Sequence, residues 1–513
     1  MRTICIPHTE LPGTSALFAD YLYRFDRVSR FYGHDPHDPE RIRRAAFAAA
    51  RAIPDERRQR LAAALRKTNG ETASLAQLEL PDTVAVVTGQ QVGLYSGPSY
   101  TIYKALTAVK LARQLTASGI RAVPVFWLAT EDHDFAEINH AWMFDAHHKA
   151  VRLEAQGGGQ PGQPVGSIPI VQSPVGTLRE TLSGFLHGDE VADLVEEAYV
   201  PGRTYGEAFR LLLSRLMAGY GLIFFDPLEP AIREIAAPFL ETALQRREEL
   251  NLALLARGKE LESAGYHAQV LVDQQSSLLF KIENGRRQKL GRQESPSDLL
   301  SLSPNALLRP VLQDYLLPTA SYVGGPAELA YLAQSQVLYR TLLDRMPVAV
   351  PRSGFTLLDE RAHSLMDRYH VTLTDCFHGG EILRERIAAR LIPQELEISF
   401  EDTSSEVRNA LDRLEGELKS FDATLGDALL KSRAKILYQI EKNRRKAARE
   451  ALRRNSQVTD GASHLSGLVF PERHLQERLF SLLPFLARHG LELLDTLHDN
   501  VQSGCPDHLL LTV

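Results

Sequence analysis

The stretch from Val84 to His140 constrains the fold more than any other part of the chain. It begins with a short β-branched run, Val84 to Val87, that stops at Thr88-Gly89. An apolar run of this length bounded by a turn is typical of a strand buried on both faces of a parallel sheet. A second such run, Val123 to Leu128, follows after a helical pattern. The sequence therefore predicts an α/β fold with a parallel sheet.

A glycine-containing loop separates the first strand from the helix. Pro98 suits the first turn of that helix, and free amides at a helix start bind anions. We therefore expect a phosphate or carboxylate here, with Lys104 as a point charge on the helix surface; a close turn without ligand is the alternative. The predicted binding residues are Gly89, Gln90, Gln91, Gly97, Ser99 and Lys104.

Ionisable residues begin where the second strand ends, in the run Glu131-Asp132-His133-Asp134. Ligands bind beyond the carboxyl ends of strands in open α/β sheets, so this loop and the glycine loop should face one crevice. If Asp134 caps a helix, Glu137 and His140 lie on one face and could hold zinc with His133. His133 could instead act as a general base that a carboxylate orients. Helix capping with surface charges is the third interpretation.

A second cluster of binding residues is predicted downstream. Leu307 to Pro326 contains paired glycines directly before a helix from Ala327 to Arg345, and Val348 to Pro351 predicts another strand. An arginine suits carboxylate recognition because its guanidinium binds both oxygens, although a structural ion pair is an alternative for each arginine. The residues of this cluster are Arg309, Gln313, Asp314, Tyr315, Tyr322, Gly324, Gly325 and Glu328, and Arg352 is the alternative arginine.

The remaining segments predict insertions and an arm. Leu222 to Phe225 is a further buried strand, and Asn284-Gly285 between alternating runs predicts a hairpin. Leucines and one phenylalanine at heptad spacing predict two antiparallel helices, 401 to 420 and 423 to 455. The predicted divisions are a core at 1–392 with insertions at 157–205 and 266–292, a coiled-coil arm at 393–460, and a return to the core at 461–513.

Composition limits the function classes. The net charge of −6 gives no reason to expect nucleic acid or an anionic membrane as partner. The basic run from Lys442 to Arg454 is interpreted as a solvated face of the arm. Cys5, Cys376 and Cys505 lie far apart without metal-ligand spacing, which favours a reducing cytoplasm and no metal. No stretch is long and apolar enough to span a membrane.

Long strings of the sequence resemble one known family. These strings are TGQQVGLYSGPSYTIYKA, PVFWLATEDHDFAEINH, SPNALLRPVLQDYLLPTASYVGGPAELAY, PVAVPRSGFTLL and HLQERLFSLLPFL. In them the sequence is similar to the bacillithiol biosynthesis cysteine-adding enzymes, or BshC-like cysteine ligases. The resemblance implies a Rossmann-like core with connecting insertions and an antiparallel coiled-coil arm. It also implies addition of L-cysteine to the glucosamine amine of glucosaminyl-malate.

The resemblance favours a reaction without metal, in which His133 and Asp134, with Asp132, help the attacking amine to lose a proton. Glu131, Asn139 and His140 join the predicted binding residues. The loop lacks a Walker-type GxxxxGK[ST] string, so ATP or ADP is only one option for activating the cysteine carboxylate. We expect a homodimer formed through the arm. A zinc-dependent amide hydrolase and a non-catalytic nucleotide-binding scaffold are the competing hypotheses.

Overall fold

The computed structural model describes residues 3–274, 277–296, 298–454, 456–502 and 504–513. It divides the chain into two compact units. The core unit extends to Thr356 and includes Glu477–Leu511. The helical unit comprises Leu357–Gln476 and the last two residues. The predicted arm boundary at 393 therefore differs from the structure, in which helices from residue 360 onward already pack within the helical unit.

The strands are β1 (Thr3–Ile6), β2 (Val84–Gln90), β3 (Ala122–Leu128), β4 (His140–Phe144), β5 (Ala150–Glu154), β6 (Ile223–Phe225), β7 (Leu279–Glu283), β8 (Arg286–Lys289), β9 (Leu302–Pro304), β10 (Thr319–Gly324), β11 (Val348–Pro351), β12 (Phe355–Leu358) and β13 (His508–Thr512). The α-helices are α1 (Ala16–Tyr23), α2 (Pro39–Ala52), α3 (Asp55–Asn69), α4 (Ala73–Leu78), α5 (Tyr100–Ala117), α6 (Phe135–Ile138), α7 (Val175–Leu182), α8 (Gly188–Ala198), α9 (Tyr205–Leu216), α10 (Pro230–Gln245), α11 (Arg247–Ser263), α12 (Arg309–Leu316), α13 (Pro326–Leu342), α14 (Glu360–Tyr369), α15 (Leu373–Cys376), α16 (Gly380–Ala389), α17 (Gln394–Phe421), α18 (Ala423–Arg453), α19 (Ser456–Val469), α20 (Gln476–Leu479), α21 (Leu483–His489) and α22 (Leu493–Asn500).

Five parallel strands form the centre of the core unit, in the order β11-β10-β2-β3-β6. Numbered along the chain among themselves, they read 5-4-1-2-3 across the sheet, which is the strand order of a Rossmann-like fold. The order reverses between β2 and β10. The predicted parallel α/β fold is confirmed, and β11 has the predicted bounds.

Both faces of this sheet are covered, which explains why its strands read as continuous apolar runs. Ala85 and Val87 pack into one hydrophobic cluster, where Trp127 stacks on Phe225 with ring centroids 4.4 Å apart. Val84 and its alternating neighbours pack into the cluster on the opposite face, against α2 and α5. This alternation follows the two-residue period of a strand.

The hairpin predicted at Asn284-Gly285 is present as β7 and β8. Both turn residues have positive φ, 52° and 73°, as a two-residue type I′ turn requires. The sequence did not predict β9, which adds a third strand on the other side of β7. The helices α10 and α11 follow each other directly and are separated at Arg246.

The helical unit contains the predicted antiparallel pair as α17 and α18. They are divided at Asp422, whose side chain caps α18 by accepting from the Thr424 N–H. Asp412 pairs with Arg433 at 2.5 Å, and Glu397 pairs with Arg444 farther from the turn, which is the register of an antiparallel hairpin. Residues 461–469 belong to α19 within this unit, and the core unit resumes at Glu477 rather than at the predicted 461. None of the described helices combines the length and apolar character needed to cross a membrane.

Candidate active site

A cavity of about 470 Å³ opens at the carboxyl ends of the central strands. Residues that follow β2, β3, β10 and β11 all contribute to its wall, so it lies where the strand order reverses. Open parallel sheets bind ligands at this position. The lining residues are Gly89, Gln90, Gln91, Tyr100, Lys104, Trp127, Ala129, Asp132, Glu137, Arg309, Tyr322, Gly325, Pro326, Ala327, Glu328, Tyr331, Arg352 and Arg478.

Gly89 allows β2 and β3 to approach each other closely at this cavity. A Cβ built at Gly89 would lie 2.7 Å from the carbonyl oxygen of Trp127 and 2.9 Å from its Cβ. Both atoms belong to a paired strand and cannot move aside without disturbing the sheet. The position therefore requires glycine for steric reasons.

Lys104 is buried in the cavity wall and is not the surface lysine that the sequence predicted. Its ammonium donates to the Gly89 carbonyl at 3.0 Å and to Gln90 Oε1 at 2.8 Å, and it pairs with Glu328. Glu328 also accepts from the Tyr322 hydroxyl at 2.6 Å. Burial opposes the charge on Glu328, but Lys104 and the Gly325 amide hold its pKa below the usual range. The pair joins the ends of β2 and β10.

The arginines of the cavity differ in how their charge is balanced. Arg352 makes a two-pronged pair with buried Glu477, at 2.8 and 2.5 Å. Arg309 instead donates to neutral groups, the Tyr331 hydroxyl at 2.9 Å, the Tyr322 hydroxyl at 3.3 Å and a glutamine oxygen. Within the described part of the chain, neither Arg309 nor the exposed Arg478 has a carboxylate partner. These two cations are available to an anionic ligand.

Two carboxylates, Asp132 and Glu137, also line the cavity. Asp132 and Glu137 are bridged by the side-chain amide of Gln91, which donates to Asp132 Oδ2 at 2.6 Å and to Glu137 Oε2 at 2.5 Å. Asp134 caps α6 by accepting from the Glu137 N–H. The predicted helix cap is therefore present, and it fixes the backbone that carries Glu137. The cavity thus offers both free cations and a carboxylate pair.

His133 is exposed and does not contribute to the cavity lining. Its Nδ1 lies 3.2 Å from a guanidinium nitrogen of Arg287, which also donates to the Pro304 carbonyl and stacks on Phe280. Arginine only donates, so Nδ1 of His133 accepts and its ring proton lies on Nε2. In this arrangement His133 presents an N–H rather than a free lone pair.

Comparison with known proteins now identifies the family. Residues 1–298 and 293–353 match the family model described as the bacillithiol biosynthesis BshC N-terminal Rossmann-like domain, and residues 355–513 match the BshC C-terminal coiled-coil domain. The chain belongs to the bacillithiol biosynthesis BshC family. The resemblance found in the sequence is confirmed, as is the combination of a Rossmann-like core and a coiled coil.

Similar proteins match over their full length. The chain is 51% identical to a protein of Solibacter usitatus, with 100% of both chains covered. It is 37% identical to one of Koribacter versatilis, with 99% of each covered, and 31% identical to one of Salinibacter ruber, with 99% and 98% covered. All three carry the provisional name cysteine ligase BshC. As a member of this family, the chain is a ligase of bacillithiol biosynthesis.

The structure of this BshC-family chain brings together one part of the predicted site. The predicted residues that line the cavity are Gly89, Gln90, Gln91, Lys104, Asp132, Arg309, Tyr322, Gly325 and Arg352. The sequence did not predict the lining residues Tyr100, Trp127, Ala129, Pro326, Ala327, Tyr331 and Arg478. The sequence predicts Glu328 only as a member of the second cluster, and Glu137 only as a possible metal ligand. The helical pattern could have indicated Tyr331, since this residue lies one turn beyond Ala327 on the same helix.

Other predicted residues lie outside the cavity for identifiable reasons. Buried Glu131 pairs with Arg233 at 3.0 Å, and Arg233 also holds two carbonyls of the β9 region. The Ser99 amide and hydroxyl both donate to the Phe480 carbonyl, so the amide predicted to bind an anion is already satisfied. A Cβ at Gly324 would lie 2.9 Å from Leu329, which indicates a packing role. Gly97 and Asn139 also lie outside the lining, as do His133, Asp134 and His140.

The zinc site predicted at His133, Glu137 and His140 is not supported. His140 is the first residue of β4 rather than part of α6, so it does not share a helix face with Glu137. Its Nδ1 lies 3.1 Å from the Asn139 side-chain oxygen. Among the described residues, none of these three belongs to a group whose ligand atoms converge as metal ligands do.

A buried histidine behind Arg352 predicts a pH dependence of stability. Burial, followed by nearby His508, lowers the pKa of His8 to about 3. Because this folded-state pKa lies below the unfolded value, the stabilisation is complete above about pH 6.5 and is lost as the pH falls toward 3. We expect the free energy of unfolding to fall by about 2 kcal/mol between pH 7 and pH 5 through His8. Urea unfolding of the parent and of His8→Gln at these two pH values measures the change in the free energy of unfolding.

His147→Gln is the control for this experiment, since His147 is exposed. It should keep the slope of the parent between the two pH values, whereas His8→Gln should flatten it. Equal slopes in the parent and His8→Gln would contradict the prediction.

Proposed function

We propose that this chain adds L-cysteine to the glucosamine amine of glucosaminyl-malate, the step that completes bacillithiol. The observation that carries the proposal is the cavity at the strand-order reversal, where two cations that have no carboxylate partner among the described residues accompany a carboxylate pair. The names of the relatives support cysteine as one substrate. The zinc-dependent hydrolase and the non-catalytic scaffold are less favoured, because the relatives are named ligases.

The malate portion of the acceptor carries two carboxylates. Arg309 is the better partner for one of them than Arg352, since Glu477 already occupies both prongs of Arg352. A guanidinium that donates only to hydroxyls and an amide gains most from a carboxylate that binds both of its nitrogens. Arg478 serves the second carboxylate in this proposal.

The amine of the acceptor arrives largely as an ammonium, which cannot attack a carbonyl. Asp132 and Glu137 suit its recognition, because carboxylates accept from an ammonium and Gln91 keeps the two oxygens in place. One of them takes a proton from the ammonium before the freed nitrogen attacks the activated cysteine. We assign this proton transfer to Asp132. His133, which the sequence predicted for this role, lies in the same loop but outside the cavity lining.

Activation of the cysteine carboxylate is the second part of the proposal. We propose ATP as co-substrate: a carboxylate oxygen attacks a phosphorus atom, and ADP or pyrophosphate leaves. The amine nitrogen, already deprotonated by Asp132, then attacks the acyl carbon and expels phosphate or AMP. The second proton, which the nitrogen loses as the amide forms, leaves with that anion. Ala327 and Glu328 lie in the first turn of the 17-residue helix α13 and line the cavity, so their backbone amides suit a phosphate group. The Gly325 amide already donates to Glu328.

The test incubates the purified full-length chain with L-cysteine, glucosaminyl-malate and ATP, with mass-spectrometric detection of bacillithiol. Omission of each component is the control, and ADP, AMP and phosphate are measured alongside. Complementation of a strain that accumulates glucosaminyl-malate provides a second readout. Complementation without product in vitro would exclude ATP as the donor but keep the reaction; failure of both would reject the proposed function.

We also propose a homodimer that forms through α17 and α18. Several apolar side chains on these helices remain about two-fifths exposed or more, including Leu414 at 42%, Leu425 at 41% and Leu430 at 44%. A heptad seam with this much exposure gains stability from a second copy. Replacing residues 393–459 by a short linker should yield a monomer in light scattering, against a dimer for the parent. A dimer that persists would contradict the interface.

A further inference from the structure

The two ends of the chain bring two cysteines together. Cys5 lies on β1 and Cys505 shortly before β13, and their sulfur atoms are 4.0 Å apart. The antiparallel pairing of these strands, with Cys5 opposite Leu509 and Ile6 opposite His508, positions them. The sequence alone suggested no such site, because 500 positions separate the two residues.

A carboxylate completes the group. A ligand oxygen of Asp507 and both sulfurs all lie within 4.8 Å of one another. The Tyr23 hydroxyl donates to Asp507 at 2.8 Å and accepts from the His8 amide at 2.7 Å. Metal-binding carboxylates are commonly held by such an outer hydrogen bond, which orients the oxygen atoms.

The sulfur separation fits coordination better than a covalent bond. A disulfide places the sulfurs about 2.05 Å apart. Zinc with sulfur ligands at about 2.3 Å in a tetrahedron places them roughly 3.8 Å apart, close to the observed distance. We propose that Cys5, Cys505 and Asp507 bind a zinc ion, with a water molecule as fourth ligand.

The electrostatics of the group are consistent with a cation. Burial, then Cys505 and Asp507, raises the pKa of Cys5, because thiolate and carboxylate charges repel at this distance. A divalent ion removes that repulsion and displaces both thiol protons, so two protons leave for each zinc bound. Cys5 is exposed, which gives the ion access. The bound ion joins β1 to the segment that precedes β13.

The experiment uses the reduced, metal-stripped full-length chain, titrated with cobalt(II) as a spectroscopic probe and then with zinc. We expect one equivalent of cobalt with thiolate-to-metal charge-transfer absorption and tetrahedral visible bands, both displaced by zinc. Cys5→Ser and Cys505→Ser should lose the charge-transfer band. Cys376→Ala, which removes the buried cysteine of the helical unit, should keep it.

A variant of the supporting tyrosine separates coordination from nonspecific thiol binding. Tyr23→Phe keeps all three ligands but removes the hydrogen bond to Asp507, so zinc should bind about 10 to 100 times more weakly. Calorimetry of the parent in buffers of different ionisation enthalpy should report two protons released per zinc, and this needs no variant. Absence of the thiolate band in the parent, a band that survives Cys5→Ser, or zinc binding without proton release would each overturn the site.

Discussion

Asp132→Asn is expected to lower kcat for cysteine addition by about 10² to 10⁴, the usual contribution of a general base. The substitution keeps the size of the side chain but removes the proton acceptor. The asparagine oxygen can accept from the His133 amide or from Gln91 but not from both, because the new NH2 group only donates. Binding of glucosaminyl-malate should change much less, because Glu137 and the two arginines still hold the acceptor, whereas proton transfer acts on the transition state. The kinetic assay should be run across a pH series. The defect should shrink at higher pH, where more of the amine arrives already deprotonated.

Two matched variants decide whether the effect belongs to Asp132. Asp134→Asn retains the helix cap, since asparagine caps as well as aspartate, and should keep nearly the parent rate. His133→Gln should lose less activity than Asp132→Asn, because His133 lies outside the cavity and its Nδ1 already accepts from Arg287. A larger loss in His133→Gln would restore the histidine as the base and reject Asp132.

Lys104→Met is expected to lower the free energy of unfolding by about 3 to 5 kcal/mol, the usual cost of removing one member of a buried ion pair. The lysine side chain is only 3% exposed, and its loss leaves the Glu328 carboxylate buried without its cation. Urea unfolding followed by tryptophan fluorescence is the measurement. Both tryptophans, Trp127 and Trp142, lie in the core unit and report on it.

The double variant Lys104→Met/Glu328→Gln tests the cause. It removes the unpaired charge, so it should recover a large part of the stability lost in the single variant. A single variant within about 0.5 kcal/mol of the parent would show that Lys104 behaves as a surface residue after all. If the single variant lowers the free energy of unfolding and the double variant does not restore it, then packing and the Lys104 contacts with Gly89 and Gln90 account for most of the loss.

Local signals in the sequence determined much of the fold. Val348 to Pro351 and the hairpin at Asn284-Gly285 were predicted because a buried strand and a type I′ turn depend on a few adjacent residues. The division of the coiled coil at Asp422 followed from its heptads and capping residue. The glycine and acidic loops were correctly placed at strand ends, which is why Asp132 and Gln91 were found.

The tertiary structure decided what depends on distant partners. β10 was missed because Thr319–Gly324 is rich in small and polar residues, and only its position between β2 and β11 makes it a central strand. Lys104 is buried because it pairs with Glu328 of helix α13, and Arg352 is neutralised by Glu477, 125 positions away. Cys5 and Cys505 met only when β1 paired with β13. Periodicity indicates which face of a helix or strand is buried. The partner of a buried charge or of a cysteine is instead set by strand order, which local patterns in a single sequence do not specify.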